Sequence, residues 1–281
     1  MQHLQQEYAA HPEEEVQLSL GLNCSLAEIH FHSQYQKAIQ NSLNIIEQFK
    51  GSKHIALLER HYWIVGNCYA HTGEHTQAEH FLLRALKMLE DIFPIPYGQK
   101  TNVLYSLSIN NHLRRGDAAL SIAYLQQILE MPETESVPVR KAGCLSCMGN
   151  IYMMDEKYEE ALKYFEPALH IYEADYDLSN IAGCYSNIGA CYLKLQNFEQ
   201  AEIFLNKALE LQIKAGSPEN LAISYFNLAE FNKETKQLPQ AHDTILKSRE
   251  ILVRVNNQSA LKQADELLQK INELMSESVS N

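Results

Sequence analysis

The stretch CLSCMGNIYMMDEKYEEALKYFEPAL, residues 144–169, decides the fold, because it is written again as CYSNIGACYLKLQNFEQAEIFLNKAL at residues 184–209. In each, a glycine (Gly149, Gly189) follows an apolar residue (Met148, Ile188), and a tyrosine (Tyr152, Tyr192) stands one turn further on. An aromatic, an alanine, a large apolar residue and a second alanine then follow: Tyr158, Ala161, Phe165 and Ala168 in one copy, Phe198, Ala201, Leu205 and Ala208 in the other. The apolar spacing is helical, and the glycines lie 40 residues apart.

Moving outward from this pair finds the same unit four more times. Forward lies Ala229, with Tyr225, Leu228, Leu238, Ala241 and Ile245. Backward lie Ile109 (with Tyr105, Gly116, Ser121, Leu125 and Ile128) and Gly66 (with Tyr62, Val65, Tyr69, Gly73, Ala78, Leu82 and Ala85). A degenerate copy is anchored at Leu26, with Leu22, Ile29, Tyr35 and Ala38. Small residues such as Gly66, Gly149 and Ala161 suit a close crossing of two helices, and Tyr152 and Phe165 fill the space beside it. A hairpin of this kind leaves one apolar face bare, which only the next hairpin can cover, so stability adds up along a stack of neighbours.

Breakers fall between the copies: Gly51; Pro94, Pro96 and Gly98; Pro132 and Pro138; Gly216 with Pro218. Pro239 suits the start of a second helix. Pro167 lies inside one and is expected to kink it. Residues 1–15 read as an N-terminal extension and 16–255 as the repeat region. Leu261, Ala264, Leu267, Leu268, Ile271 and Leu274 make one helical stripe, read as a capping helix over 256–275, before a disordered tail at 276–281. No sustained alternation argues for a sheet, so the class is all-α.

Composition limits the function. The 281 residues are 46 % hydrophobic and 21 % charged, which favours folding over disorder. A net charge of −12 opposes nucleic acid and anionic membrane surfaces. No signal peptide or spanning segment is seen, and six cysteines in such a chain read as thiols of a cytoplasmic protein.

The pattern of aromatic, apolar-Gly, Tyr and then Ala–apolar–Ala resembles the tetratricopeptide repeat over roughly residues 16–255. The family unit is usually shorter, and the 40-residue step here implies longer helices or longer connections. The longer variety looks like the repeats of bacterial regulators, including peptide-pheromone receptors and the sensor regions of multidomain signalling proteins. The resemblance implies a right-handed α-solenoid of about six hairpins whose first helices line a concave groove. It also implies a non-catalytic protein that recognises an extended peptide or partner segment in bacterial regulation. The alternative is a sensory region of a larger signalling enzyme, such as a cyclase or kinase. Homo-oligomerisation stays open.

Three offsets from each anchor should face that groove. They give Leu20, Asn23 and Ala27; Arg60, Trp63 and Asn67; Val103, Ser106 and Asn110; Gly143, Ser146 and Asn150; Gly183, Ser186 and Ala190; Ile223, Phe226 and Glu230, with Asn187 and Asn227 at the edge. Asparagine amides can clamp a peptide backbone through a donor and an acceptor at once. Gly143, Gly183 and the serines keep the floor low, Trp63 and Phe226 offer apolar anchors, and Arg60, Arg114 and Lys194 offer positive charge for a carboxylate. Chaperone-binding members of the family place lysines on the groove floor; here Trp63, Ser106, Ser146 and Ser186 stand there instead, which disfavours that role.

Signals of chemistry are weak. Cys144-x-x-Cys147 sits within a helix and has no second pair to complete a zinc site. Cys144 and Cys184, like Cys68 and Cys191, fall on positions that want a small apolar residue, so packing explains them. His71, His75 and His80 straddle a turn without a carboxylate or thiolate at ligand spacing, and His30 and His32 read as ordinary helix residues. No phosphate loop, nucleophile elbow or paired-acid motif is present. Neither enzyme activity, cofactor nor metal is expected.

Overall fold

The computed structural model describes residues 14–280 except 33, 93, 95, 116 and 216; of residues 30–32, 113–115, 215 and 278–280 it describes the backbone alone. The described residues form thirteen α-helices and a short 3₁₀ segment. They divide into two compact units, Met1–Ser136 and Val137–Asn281, each taken by itself below. Among the described residues no helix is long and apolar enough to cross a membrane.

The first unit pairs α1 (Glu14–His32) with α2 (Tyr35–Gln48), α3 (Ile55–His71) with α4 (His75–Leu89), and α5 (Tyr97–Arg115) with α6 (Ala118–Leu129), and ends in the 3₁₀ segment Pro132–Ser136. The second pairs α7 (Pro138–Met154) with α8 (Tyr158–Ala174), α9 (Leu178–Lys194) with α10 (Phe198–Ala215), and α11 (Pro218–Glu234) with α12 (Leu238–Arg254). The closing helix α13 (Gln258–Ser280) packs on α12, burying Ala264, Leu267 and Ile271. It continues past Ser276 to Ser280, where the sequence suggested a tail. Residues 1–13 and Asn281 lie outside the described residues.

The turns explain the 40-residue repeat. In the second unit a 17-residue helix is followed by a three-residue turn, another 17-residue helix and another three-residue turn. The unit is long because its helices are long. The turns are alike: Lys157, Asp177, Asn197, Gln237 and Asn257 each donate a backbone N–H to the carbonyl five residues earlier, a 6→1 Schellman closure. The residue before each donor (Glu156, Tyr176, Gln196, Lys236, Asn256) takes a left-handed φ of 55 to 60°. None of the five is glycine, so each bears local strain. The equivalent turn of the first unit, between α3 and α4, uses Gly73 at φ 82°.

The glycine anchors are crossing points, as their spacing suggested. A Cβ on Gly149 would lie 2.7 Å from the buried Phe165 ring, one on Gly66 2.7 Å from Leu82, and one on Gly189 2.8 Å from Leu205. Only hydrogen fits at these positions.

The third hairpin corrects the sequence reading. The first helices of the second, fourth and fifth hairpins bury the residues seven and five before the glycine, the one directly before it, and the one two after. In α5 that pattern belongs to Ser108: Thr101, Val103, Leu107, Ser108 and Asn110 are buried, whereas Ile109 is 37 % exposed. The small crossing residue is therefore Ser108, one position before the expected Ile109. The second helix keeps the expected register, with Ser121, Leu125 and Ile128 buried. The first hairpin keeps the expected register: Gly21, Ser25 and Glu28, which lie five before, one before and two after Leu26, are buried, and Leu26 itself is half-buried, while Ser25 meets Ser42 of α2 at 3.0 Å between hydroxyls. In α5 the serine is small enough to stand where glycine stands elsewhere, and the bulky Ile109 turns outward.

Helix α8 runs unbroken through Pro167, which lies on its exposed side. The carbonyl left without its donor belongs to exposed Lys163, where water can serve it.

Candidate functional site

In the second unit the expected floor residues lie on successive first helices and bond across them. Asn187 Nδ2 on α9 donates to Asn150 Oδ1 on α7 at 3.0 Å, and Asn227 Nδ2 on α11 donates to Ser186 Oγ on α9 at 2.9 Å. Ser146 Oγ lies 3.7 Å from Cys184 Sγ. The Asn150–Asn187 bond leaves the Nδ2 donor of Asn150 and the Oδ1 acceptor of Asn187 without a hydrogen-bond partner among the described residues, and Asn150 is exposed. Beside them the floor is low: a Cβ on Gly183 would meet nothing within 4 Å, and one on Gly143 only Tyr172 Oη at 3.8 Å. Half-buried Phe226 and 49 % exposed Ile223 give this face apolar surface on α11. Lys194 corrects the expectation of a free cation, because its Nζ is 3.5 Å from Glu230.

In the first unit the same face forms a cavity of about 390 Å³. Its walls come from α1 (Leu26, Ile29), α2 (Tyr35), α3 (Trp63, Ile64, Asn67, Cys68, Ala70, His71) and α5 (Tyr105, Ser106, Ile109). Trp63 Nε1 donates to Ser106 Oγ at 3.1 Å, and that hydroxyl donates to the Asn102 carbonyl at 2.9 Å. Gln99 Nε2 donates to the Ala56 carbonyl at 3.0 Å, tying α5 to α3 a second time. Tyr35 and His71 stack at the rim with ring centroids 5.0 Å apart.

The one-residue slip in α5 explains which expected residues are missing from this cavity. Asn110 faces inward: it is fully buried, its Nδ2 donates to the His75 carbonyl at 3.0 Å, and its Oδ1 lies 3.0 Å from His75 Nδ1. Val103 is likewise buried. Asn110 is therefore withdrawn as a ligand clamp; it pins the start of α4. Tyr105 and Ile109 replace the two as wall residues, and the burial pattern that identifies them has no signature in the sequence except the small Ser108. Arg60 is half-buried and makes no ion pair among the described residues. The Arg114 side chain lies outside the described residues, as do those of His30 and His32.

Other sequence candidates are structural. Cys68, Cys144, Cys184 and Cys191 are buried, and burial pushes the thiols of Cys68, Cys144 and Cys191 up to about 12 and that of Cys184 up to about 11. Thiols held so firmly protonated are poor nucleophiles. His71 stacks on Tyr35, His75 holds Asn110 and His80 meets the edge of Phe81, so the three serve different contacts. No group of three metal-ligating side chains comes together among the described residues.

Helix α3 also carries buried polar side chains that the repeat pattern does not call for. His61 is fully buried; its Nε2 lies 3.1 Å from the Leu18 carbonyl and its Nδ1 3.2 Å from Ser42 Oγ. A carbonyl only accepts, so the neutral ring carries its proton on Nε2. Burial pushes this imidazole down to about 4, against the pull of the Leu18 bond. Glu59, two residues earlier, is 1 % exposed, and its Oε2 has no hydrogen-bond partner. Burial pushes it up to about 8, with the Arg60 guanidinium pulling the other way.

Residues 142–214 and 180–252 match the family model of the tetratricopeptide repeat. No curated protein matches the chain in sequence. Solved structures that share its fold include the following three. A Rap protein complexed with competence and sporulation factor aligns with TM-score 0.65 at 14 % identity, over 97 % of this chain and 79 % of that one. The apo quorum sensor NprR from B. thuringiensis aligns with TM-score 0.65 at 16 %, over 98 % and 80 %. Aspartyl phosphate phosphatase F from Bacillus subtilis aligns with TM-score 0.66 at 16 %, over 93 % and 71 %. At these identities the likeness is one of fold.

Proposed function

We propose that this chain, a tetratricopeptide-repeat protein, is a non-catalytic binder of an extended protein segment, which lies along the first-helix face of the hairpins of its second unit. The observation that carries the reading is the Asn150–Asn187 pair: one bonded amide couple offering an outward donor and an outward acceptor above a floor kept open by Gly143 and Gly183. An extended chain presents N–H and C=O groups that such a couple satisfies whatever the side chains are. Ser186 with Asn227 extends the polar strip onto α11, where Phe226 and Ile223 supply apolar contact. The fold is also that of a Rap protein complexed with competence and sporulation factor and of a quorum sensor, which supports placing this protein in bacterial regulation, in the cytoplasm.

The test is a selection of peptides from a random display library on the wild-type protein, followed by affinity measurements on Asn150→Ala/Asn187→Ala. The selected peptides should lose at least tenfold in affinity while circular dichroism keeps the wild-type helicity. Gly183→Trp, which fills open space rather than a packed crossing, should block the same peptides. Unchanged affinity in both variants overturns the proposal.

A further inference from the structure

We propose, building on the reading of this chain as a binder of protein segments, that the cavity of the first unit is the seat of one aromatic side chain of such a segment. Two of its polar wall groups are already used: the Trp63 indole N–H is committed to Ser106, and the Ser106 hydroxyl to the Asn102 carbonyl. Apart from Asn67, Cys68 and the stacked His71, the rest of the surface is the carbon of Leu26, Ile29, Ile64, Ala70 and Ile109 and the rings of Tyr35, Trp63 and Tyr105. No carboxylate, ammonium or guanidinium lines it, so a charged side chain would lose its water there and find no counter-ion. A small polar side chain would leave most of the 390 Å³ unfilled. A flat apolar ring meets both demands and adds ring-on-ring contact with the three aromatic walls. Asn67, half-buried in the same wall and making no hydrogen bond among the described residues, is placed to receive the backbone amide that carries the ring.

The cavity owes one wall to the serine crossing of α5. In the second, fourth and fifth hairpins the residue after the anchor is Asn67, Asn150 or Ala190; in the third the slip puts Ile109 there, and it stands in the wall. The apolar seat is therefore in part a product of the hairpin that departs from the repeat.

The chain has a single tryptophan, Trp63, and it lies in the wall, so its emission reports occupancy directly. The full chain is titrated with N-acetyl-phenylalaninamide, N-acetyl-glycinamide and N-acetyl-lysinamide. The phenylalanine fragment should give a saturable shift of Trp63 emission in the millimolar range, at least tenfold tighter than the other two. Ala70→Phe, which fills the cavity, should abolish it with helicity intact. Should that variant lose helicity, Ile109→Glu, at a position already 37 % exposed, should weaken the fragment at least tenfold by bringing a charge into the wall. No saturable shift with the phenylalanine fragment, or an equal response to the lysine one, overturns the proposal. The titration uses no residue of α7 or α9. Fragment binding that fails while selected peptides still need Asn150 and Asn187 removes the aromatic seat alone; peptides indifferent to the two asparagines, with fragment binding intact, remove the groove reading alone.

Discussion

The two units use the same hairpin but fill its crossing differently. The second unit places Gly149 and Gly189 under Phe165 and Leu205, and among its described residues buries no Asp, Glu, Lys, Arg or His. The first places Ser108 at one of its three crossings and buries Glu28, Glu59 and His61, of which Glu28 reaches Lys37 at 3.0 Å. Regular packing in one unit leaves a low polar floor; the other unit holds an apolar cavity, with Ile109 of the slipped α5 in its wall, and buried ionisable groups. The lesson is that a repeat is most informative where it is broken, since those positions are released from the demands of stacking.

The comparison can be broken most severely at a glycine crossing. Gly149→Val should cost about 3 kcal/mol in urea unfolding, because its Cβ alone would stand 2.7 Å from a fully buried ring. Fragment binding to Trp63 in the other unit should survive it.

The pH response should separate the units next. A neutral His61 is favoured by the fold, so its contribution is complete above its unfolded value near 6.5 and is lost as pH falls towards about 4. A protonated Glu59 is favoured by the fold, so its contribution is complete below about 4.5 and is lost as pH rises towards about 8. The two oppose each other between 4.5 and 6.5, and above 6.5 the Glu59 loss acts alone. Glu59→Gln should therefore raise stability by about 2 kcal/mol at pH 8 and change little at pH 4.5. Melting curves across this range test it, and an equal gain at both pH values would contradict it.

A smaller effect distinguishes the serine crossing from the glycine ones. Ser108 Oγ is buried without a hydrogen-bond partner, so Ser108→Ala should stabilise by roughly 1 kcal/mol, whereas Gly189→Ala should destabilise. The smallest effect lies in the turns. Tyr176 is 84 % exposed at φ 55°, and Tyr176→Gly should raise the melting temperature slightly, by about 0.5 kcal/mol of stability, once the relief of strain is set against the added freedom of the unfolded chain.

Much of this was readable in the sequence, and the failures have physical causes. Glycines at 40-residue spacing announced the crossings because hydrogen alone fits there. In the third hairpin the 40-residue step from Gly149 lands on Ile109, whereas the close crossing needs a small residue and takes Ser108 one position earlier. That slip sent Asn110 inward and hid Tyr105. The Asn150–Asn187 and Ser186–Asn227 bonds depend on side chains of different hairpins meeting, which spacing along one helix does not express. Glu59 did leave a trace: it stands where Ala142, Ala182 and Ala222 stand in other copies, and an acid at an alanine position is an anomaly visible without coordinates.

The five matching turns of the second unit have one further consequence. The connection within a hairpin and the connection between hairpins are the same piece of backbone, so neither neighbour distinguishes the end of one module from the start of the next. Excising residues 178–217, which would bring Asp177 directly before Pro218, should leave a shorter array that still closes, and inserting a second copy of that block should lengthen it. The length of the binding face is thus open to change by whole-module gain or loss, with no redesign of the parts that remain.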